Sequence, residues 1–441
     1  MENTRLSAKE RRELRPAKTH IAIGFAAVLF LFSKTLLSEE IPVEDKPNTT
    51  LEFAPGSGVD IRSANRDFRL NIKVFGQMLY TATLGDGPTS KGDMRGISDA
   101  EQSLALRRAR LVLSGNLFGE HNKYYVQLAF SPQDMGFKNG TPTNAPFFDW
   151  YFKFDYLRDL NFQVGQYRIP FSKSRVIPYA KLQFVDRALP NFEFNLDRDI
   201  GLDIRSDDFL GLDLLRYYAG VFIGEGRDGY GASDFGMVYV ARLEIHPLGL
   251  FQDYVEADLE RRDKPALALG VAYAFLDDAK YNRGILGKVP SDGGTSDIHT
   301  VTADIAFKWA GVSLTGELYA RKAYRDDGDV QAVDENGDPI FEDDGVTPFI
   351  DREMARNGLG WFAQMGWMVP GIPVEIAGRY GQVHPLFGDS HITRLDEIGA
   401  GINWYVFGPS MAVKMDYHHR FRGGTLDDAT DEVRVSFQAG F

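Results

Sequence analysis

Sixteen segments of this chain alternate apolar and polar residues with a period of two, and the links joining them alternate as well, long then short. The twelfth, through Trp361, Met365 and Trp367, alternates less distinctly than the rest. The last ten residues show the pattern most plainly. Val433, Val435, Phe437, Ala439 and Phe441 fall on one side; Glu432, Arg434, Ser436, Gln438 and Gly440 fall on the other. Successive side chains of a strand point to opposite faces, so each such segment reads as a strand with one greasy and one polar face. The segments begin near Phe68, Arg108, Tyr124, Asp149, Leu160, Ile200, Leu215, Met237, Leu267, Val301, Val312, Trp361, Val374, Ile398, Met411 and Glu432. After every odd-numbered segment the link is long, polar and Gly-rich. After the even ones it is a few residues, as at Gly311 and at Pro370-Gly371-Ile372, with one exception over 247–264.

One alternating strand fits the edge of a soluble sandwich equally well, but a sandwich has no reason to sort its links by parity. A closed sheet crossing a bilayer does, with tight turns on one side and long loops on the other. Closure is required there because lipid offers no partner to an unpaired backbone group. The predicted fold is all-β: a 16-stranded antiparallel transmembrane β-barrel over residues 66–441, with long external loops and short periplasmic turns. A run of 19 Tyr, 32 Phe and 5 Trp suits the aromatic outer surface of such a barrel.

Ahead of the strands, Arg5, Lys9, Arg11, Arg12, Arg15 and Lys18 precede an apolar stretch from Ile21 to Phe32. Twelve apolar residues are too few to span a bilayer, so 1–38 reads as a cleaved secretory signal and 39–65 as a flexible lead-in. Removing 1–38 takes seven Lys/Arg and three Glu with it, leaving 49 − 7 = 42 bases against 62 − 3 = 59 acids, a net charge of −17. So acidic a chain is not a nucleic-acid binder. With no cysteine, neither disulfides nor thiolate metal sites hold the fold.

Several constellations invite chemistry and lose to simpler readings. Gly224-Glu225-Gly226-Arg227-Asp228-Gly229 has dinucleotide-motif spacing, yet a strand follows where a helix must open, so these are loop glycines. His418 and His419 are neighbours on one strand and face opposite ways, so they cannot share an ion; one belongs in the lumen, the other near the rim. Eleven carboxylates crowd 326–353, including Asp334-Glu335-Asn336-Gly337-Asp338; a solvated external loop is favoured over weak Ca²⁺ or Mg²⁺ binding that would bridge lipopolysaccharide phosphates. No Ser–His–acid set stands out, and no catalytic residue, metal site or cofactor is expected.

The polar faces carry Arg69, Lys73, Arg108, Arg110, Lys153, Arg205, Arg216, Arg242, Arg379, Lys414 and Arg434. A row of lumenal cations lowers the barrier for anions. Acids share those faces in similar number (Asp149, Asp155, Asp203, Glu244, Asp304, Glu317, Glu375, Glu397, Asp416, Glu432), so mutual pairing stays an open alternative. The segment 171–196, with Lys173, Arg175, Lys181, Arg187 and several aromatics, is too long for a hairpin and too aromatic for a solvated loop. It reads as folded inward to narrow the pore, the other choice being a cap over the mouth.

At these residues the chain resembles the phosphate-selective porin O and P family. The likeness is carried by Phe68-Arg69-Leu70-Asn71-Ile72-Lys73, Leu106-Arg107-Arg108-Ala109-Arg110-Leu111, Val164-Gly165-Gln166-Tyr167-Arg168-Ile169-Pro170-Phe171-Ser172, Phe184-Val185-Asp186-Arg187 and Arg198-Asp199-Ile200-Gly201, then Val240-Ala241-Arg242-Leu243 and His246-Pro247-Leu248-Gly249. The resemblance implies a homotrimeric porin of a bacterial outer membrane, in contact with lipopolysaccharide and put in place by the barrel assembly machinery. It implies passive diffusion of small hydrophilic anions such as phosphate past inward-folded basic loops. The expected anion-binding residues are Arg69, Lys73, Arg108, Arg110, Lys173, Arg175, Lys181 and Arg187. A general or cation-preferring diffusion porin and an outer-membrane barrel enzyme are the other readings.

Overall fold

The computed structural model of the chain describes residues 49–54, 56–84, 101–138, 141–229, 236–386, 390–424, 426 and 429–441. The expected signal segment 1–38 and most of the first long loop lie outside the described residues. Sixteen strands form in sequence order: β1 (Arg69–Leu84), β2 (Glu101–Asn116), β3 (Asn122–Ala129), β4 (Phe147–Leu157), β5 (Leu160–Arg168), β6 (Arg198–Ser206), β7 (Leu215–Phe222) and β8 (Val238–Ile245). They continue as β9 (Ala266–Ala279), β10 (Thr295–Trp309), β11 (Val312–Asp326), β12 (Gly358–Met368), β13 (Val374–Pro385), β14 (Leu395–Pro409), β15 (Met411–Arg422) and β16 (Ala429–Gly440). Every neighbour pairs antiparallel with the next, and β16 returns to β1 in the register Asp431↔Leu84 through Gly440↔Phe75. That last pairing closes the barrel wall along Phe75–Leu84 of β1, as lipid demands.

Parity of side chains follows the sequence pattern. On β16 the outward Val435 and Phe437 are 37% and 44% exposed, while the inward Ser436 and Gln438 are fully buried. Single links such as Ser410 and the pair Ala310-Gly311 close one end of the barrel, where Gly311 takes φ 86° in the turn. Long loops close the other.

Three features depart from the sequence reading. First, within the stretch read as a flexible lead-in, the described residues form a hairpin, Thr50–Ala54 with Gly58–Arg62. Its second strand pairs with β1 at Val59↔Ile72 through Arg62↔Arg69, on the edge that β16 leaves uncovered at the short-turn end. Unpaired backbone groups there recruit the hairpin, and Asp60 fixes it by accepting from Arg62 and Arg69. Second, the register of β1 with β2 slips between Gln77↔Arg108 and Met78↔Leu106, so Arg107 is an extra residue. This bulge exchanges the faces on either side of it. Leu104 and Leu106 face out above it, yet both Arg107 and Arg108 reach the lumenal Asp186.

Third, part of the bore is apolar and closely packed. Tyr167, Phe171, Phe194, Phe222, Leu276 and Tyr319 belong to one buried cluster inside the barrel. The alternating pattern conceals this, because Ala272 and Ala274 turn inward on β9 where polar residues were expected. Small residues there leave room for a loop packed against them.

Candidate functional site

The packed loop is the β5–β6 link, 169–197, and it runs inside the barrel rather than over its mouth. Ser172 caps a helical turn, Lys173–Val176, by accepting from Arg175 N, and a second short helix follows at Leu189–Phe194. Ile169, Phe171, Ile177, Leu182, Phe184 and Phe194 are all buried. Each aromatic or aliphatic side chain taken out of water in this way contributes about 1.5–3 kcal/mol.

A loop deep in a barrel must satisfy its backbone with side chains, and here charged ones do it. Glu317 accepts from Ser174 N at 3.1 Å, Glu256 from Gln183 N at 2.7 Å, Asp416 from Val185 N at 2.8 Å and Glu397 from Leu189 N at 3.0 Å. Going the other way, Arg242 donates to Phe171 O, Lys414 to Leu182 O, Arg379 to Asp186 O and Arg321 to Glu193 O. Glu256 comes from the 247–264 link, the one exception to the short-turn rule. That link is long because it too folds inward, bringing Asp253 to within hydrogen-bonding distance of Lys173, Arg216 and His246. His418 is buried in the lumen between Glu397 and Asp416, whereas His419 lies on the other face, against Asp431.

These contacts account for the near balance of lumenal charges. Glu317 of β11, Glu397 of β14 and Asp416 of β15 are consumed in holding the loop, and one open space lies along the opposite wall, β1 to β8. There a cavity of about 500 Å³ extends from Arg110 and Asp149 to Ser410 and Phe441 at the short-turn end. Seven bases line it (Lys73, Arg108, Arg110, Arg168, Lys181, Arg205 and Arg242) and one acid, Asp149. Asp149 is itself paired with Arg198 at 2.9 Å.

Tyr179, on the loop, explains how so many guanidinium groups stand together. Arg108 lies 3.6 Å and Arg187 4.0 Å from its ring centre, with Arg110 at 5.5 Å and Arg168 at 5.7 Å. The negative face of an aromatic ring partly offsets their mutual repulsion. Asp186 does the rest. Burial works to raise its pKa, but Arg108, Arg107 and Arg434 hold it below the usual carboxylate range.

Of the eight residues expected to bind anions, Lys73, Arg108, Arg110 and Lys181 line this cavity together. Arg69 lies outside it at the short-turn rim, bound to Asp60. Lys173 is buried against Asp253, Arg175 is bound to Asp197, and Arg187 donates to the carbonyls of Ser174 and Arg175 from behind Tyr179. These three brace the loop. Among the described residues, the ammonium groups of Lys73 and Lys181 make no ion pair or hydrogen bond. Arg168 and Tyr179 are not among the residues expected from the sequence to bind anions; Arg168 stands in the Val164–Ser172 motif, but nothing local marks it as facing the cavity. In the acidic external loop, Asp334 accepts from Asn336 N and Asp338 N, closing its own turn.

The comparisons agree with this architecture. No curated protein sequence matches the chain. A loop-deletion variant of OmpT, an outer-membrane protein of Vibrio cholerae, superposes with a TM-score of 0.51 at 8% identity, covering 84% of this chain and 99% of that one. DcaP, an outer-membrane channel of Acinetobacter baumannii, gives 0.48 at 12% identity over 84% and 97% of the two chains. Likeness at such identity speaks for the fold alone, and only the first reaches a score that supports it. The sequence pattern of phosphate-selective porin O and P matches residues 89–438, most of the barrel. With a closed sixteen-stranded wall and a lumen narrowed by its own loop, the chain belongs to the phosphate-selective porin O and P family of bacterial outer-membrane channels.

Proposed function

We propose that this porin passes small anions, inorganic phosphate among them, in preference to cations. The observation that carries the reading is the make-up of the cavity wall: seven bases and one already paired acid border it. Although Asp186, Asp134, Asp203 and the pair Glu244 and Asp304 reach Arg108, Arg110, Arg205 and Arg242 from outside the lining, Lys73 and Lys181 hold no partner among the described residues. A passing ion meets the cavity wall, not the average composition, so a chain of net charge −13 still offers an electropositive path. The work is done by pore width and fixed charge and calls for no bond-making residue. Export on the signal at 1–38, insertion by the barrel assembly machinery beside lipopolysaccharide, and assembly as a homotrimer belong to the same proposal. Single-channel recording in a planar bilayer tests it. Under a KCl gradient the reversal potential should take the sign of a chloride-preferring pore; the opposite sign sinks the reading.

The same recordings have an expected pH dependence. Burial, with the charge of Lys73 close by, lowers the pKa of Lys181 from its ordinary value. A lysine so placed is a cation below its pKa and neutral above it. Anion preference should therefore decline on the alkaline side at a pH where exposed lysines are still charged. Lys181→Arg should remove that decline, since a guanidinium stays protonated.

A further inference from the structure

We propose that the preferred solutes are anions bearing a planar aromatic ring, aryl phosphates or aryl carboxylates, held by charge at one point of the lumen and by stacking at another. This rests on the anion reading above and names the substrate class. The cavity that gathers the bases also carries a strip of aromatic side chains. Tyr125 of β3 and Tyr151 of β4 are cross-strand partners whose rings stack at 5.1 Å with 13° between planes. Tyr151 meets Tyr167 of β5 edge-on at 5.5 Å, and Tyr167 meets Phe222 of β7 at 5.5 Å. Tyr125, Tyr151 and Tyr167 all border the cavity, and the first two are half-buried, with ring surface left to the lumen.

The backbone beside the strip is shaped to keep it open. Gly165 is the cross-strand partner of Tyr151 and takes φ 137°. A Cβ there would stand 3.0 Å from the Tyr151 Cβ and 2.2 Å from the Trp150 carbonyl oxygen. Any larger residue would displace the ring. Charge and ring surface also sit at a useful spacing. Arg110 pairs with Ala129, and Tyr125 is two inward positions further along the same strand. Nearby, Arg168 Nε is buried and has no hydrogen-bond acceptor among the described residues. Tyr179 is not part of the strip, because Arg108 and Arg187 lie over its ring.

Inorganic phosphate can use the guanidinium donors but leaves the tyrosine surface against water. A ring attached to the same anion can cover that surface. Stacking of this kind should tighten binding by roughly threefold to tenfold.

The test compares phenyl phosphate with inorganic phosphate as blockers of chloride current in single channels. Phenyl phosphate should block at a concentration about threefold to tenfold lower. Tyr125→Leu and Tyr151→Leu should each reduce that preference without changing block by inorganic phosphate, and Tyr151→Phe should retain it. Equal block by the two anions in the native channel, or a preference that survives both leucine variants, overturns the proposal while leaving the anion reading intact. A cation-selective reversal potential overturns both.

Discussion

Exchanging Lys73 and Lys181 together for glutamate is expected to cut the chloride-over-potassium preference about tenfold or more and to carry the reversal potential toward zero. The two ammonium groups border the cavity and hold no partner among the described residues, so their loss strands no buried acid. The lining would change from seven bases and one acid to 7 − 2 = 5 bases and 1 + 2 = 3 acids. Each exchange alters the wall by two charges. At several ångströms in a wet pore that amounts to about 1 kcal/mol, and 1.4 kcal/mol is a factor of ten. Lys173→Met is the informative control. That lysine is as basic in sequence but is buried against Asp253, so selectivity should hold while the loop loosens. A double glutamate variant with unchanged reversal potential would show that another part of the lumen sets selectivity.

The second large effect concerns the loop. Glu317→Met with Glu397→Met removes the acceptors of Ser174 N and Leu189 N, at about 1.5–3 kcal/mol for each hydrogen bond to a charged group. The loop should then leave the wall for part of the time. Conductance should rise and become noisy, and trypsin should gain access to Lys173, Arg175, Lys181 or Arg187 in intact, folded channels. The barrel itself should survive, because its wall is closed by backbone pairing from β1 to β16 and does not depend on those two side chains. Steady native conductance with no new cleavage would mean that the apolar contacts of Phe171, Phe184 and Phe194 suffice.

Much of this protein was readable before any coordinates. Period-two alternation marks the strands, most weakly the twelfth around Trp361, since a strand must send neighbouring side chains to opposite faces. Residues such as Val435 and Phe437 declare lipid by their own chemistry. The order of long and short links revealed the two ends of the barrel. Even the inward course of 171–196 is favoured by the sequence over a cap on the mouth, because Phe171, Phe184 and Phe194 would not rest in a solvated loop. The hairpin at 50–62 was harder to see: it forms because β16 stops short of the end of β1, a fact about two segments at opposite ends of the chain.

What the sequence determined by itself was therefore local: which residues form strands, which side of each strand meets lipid, and where the chain must turn. Only the tertiary structure decided which charges are free. Lys73 and Lys173 look alike in a string of letters, yet one borders open solvent and the other lies against Asp253. The inserted residue at Arg107 shifts a register, and Glu317 or Glu397 is spent on an amide more than a hundred residues away. A side chain's facing is set by its own backbone, so it repeats with the strand. Its partner is set by closure of the whole sheet and by what the loop displaces from the bore, and no short period in the sequence carries that information.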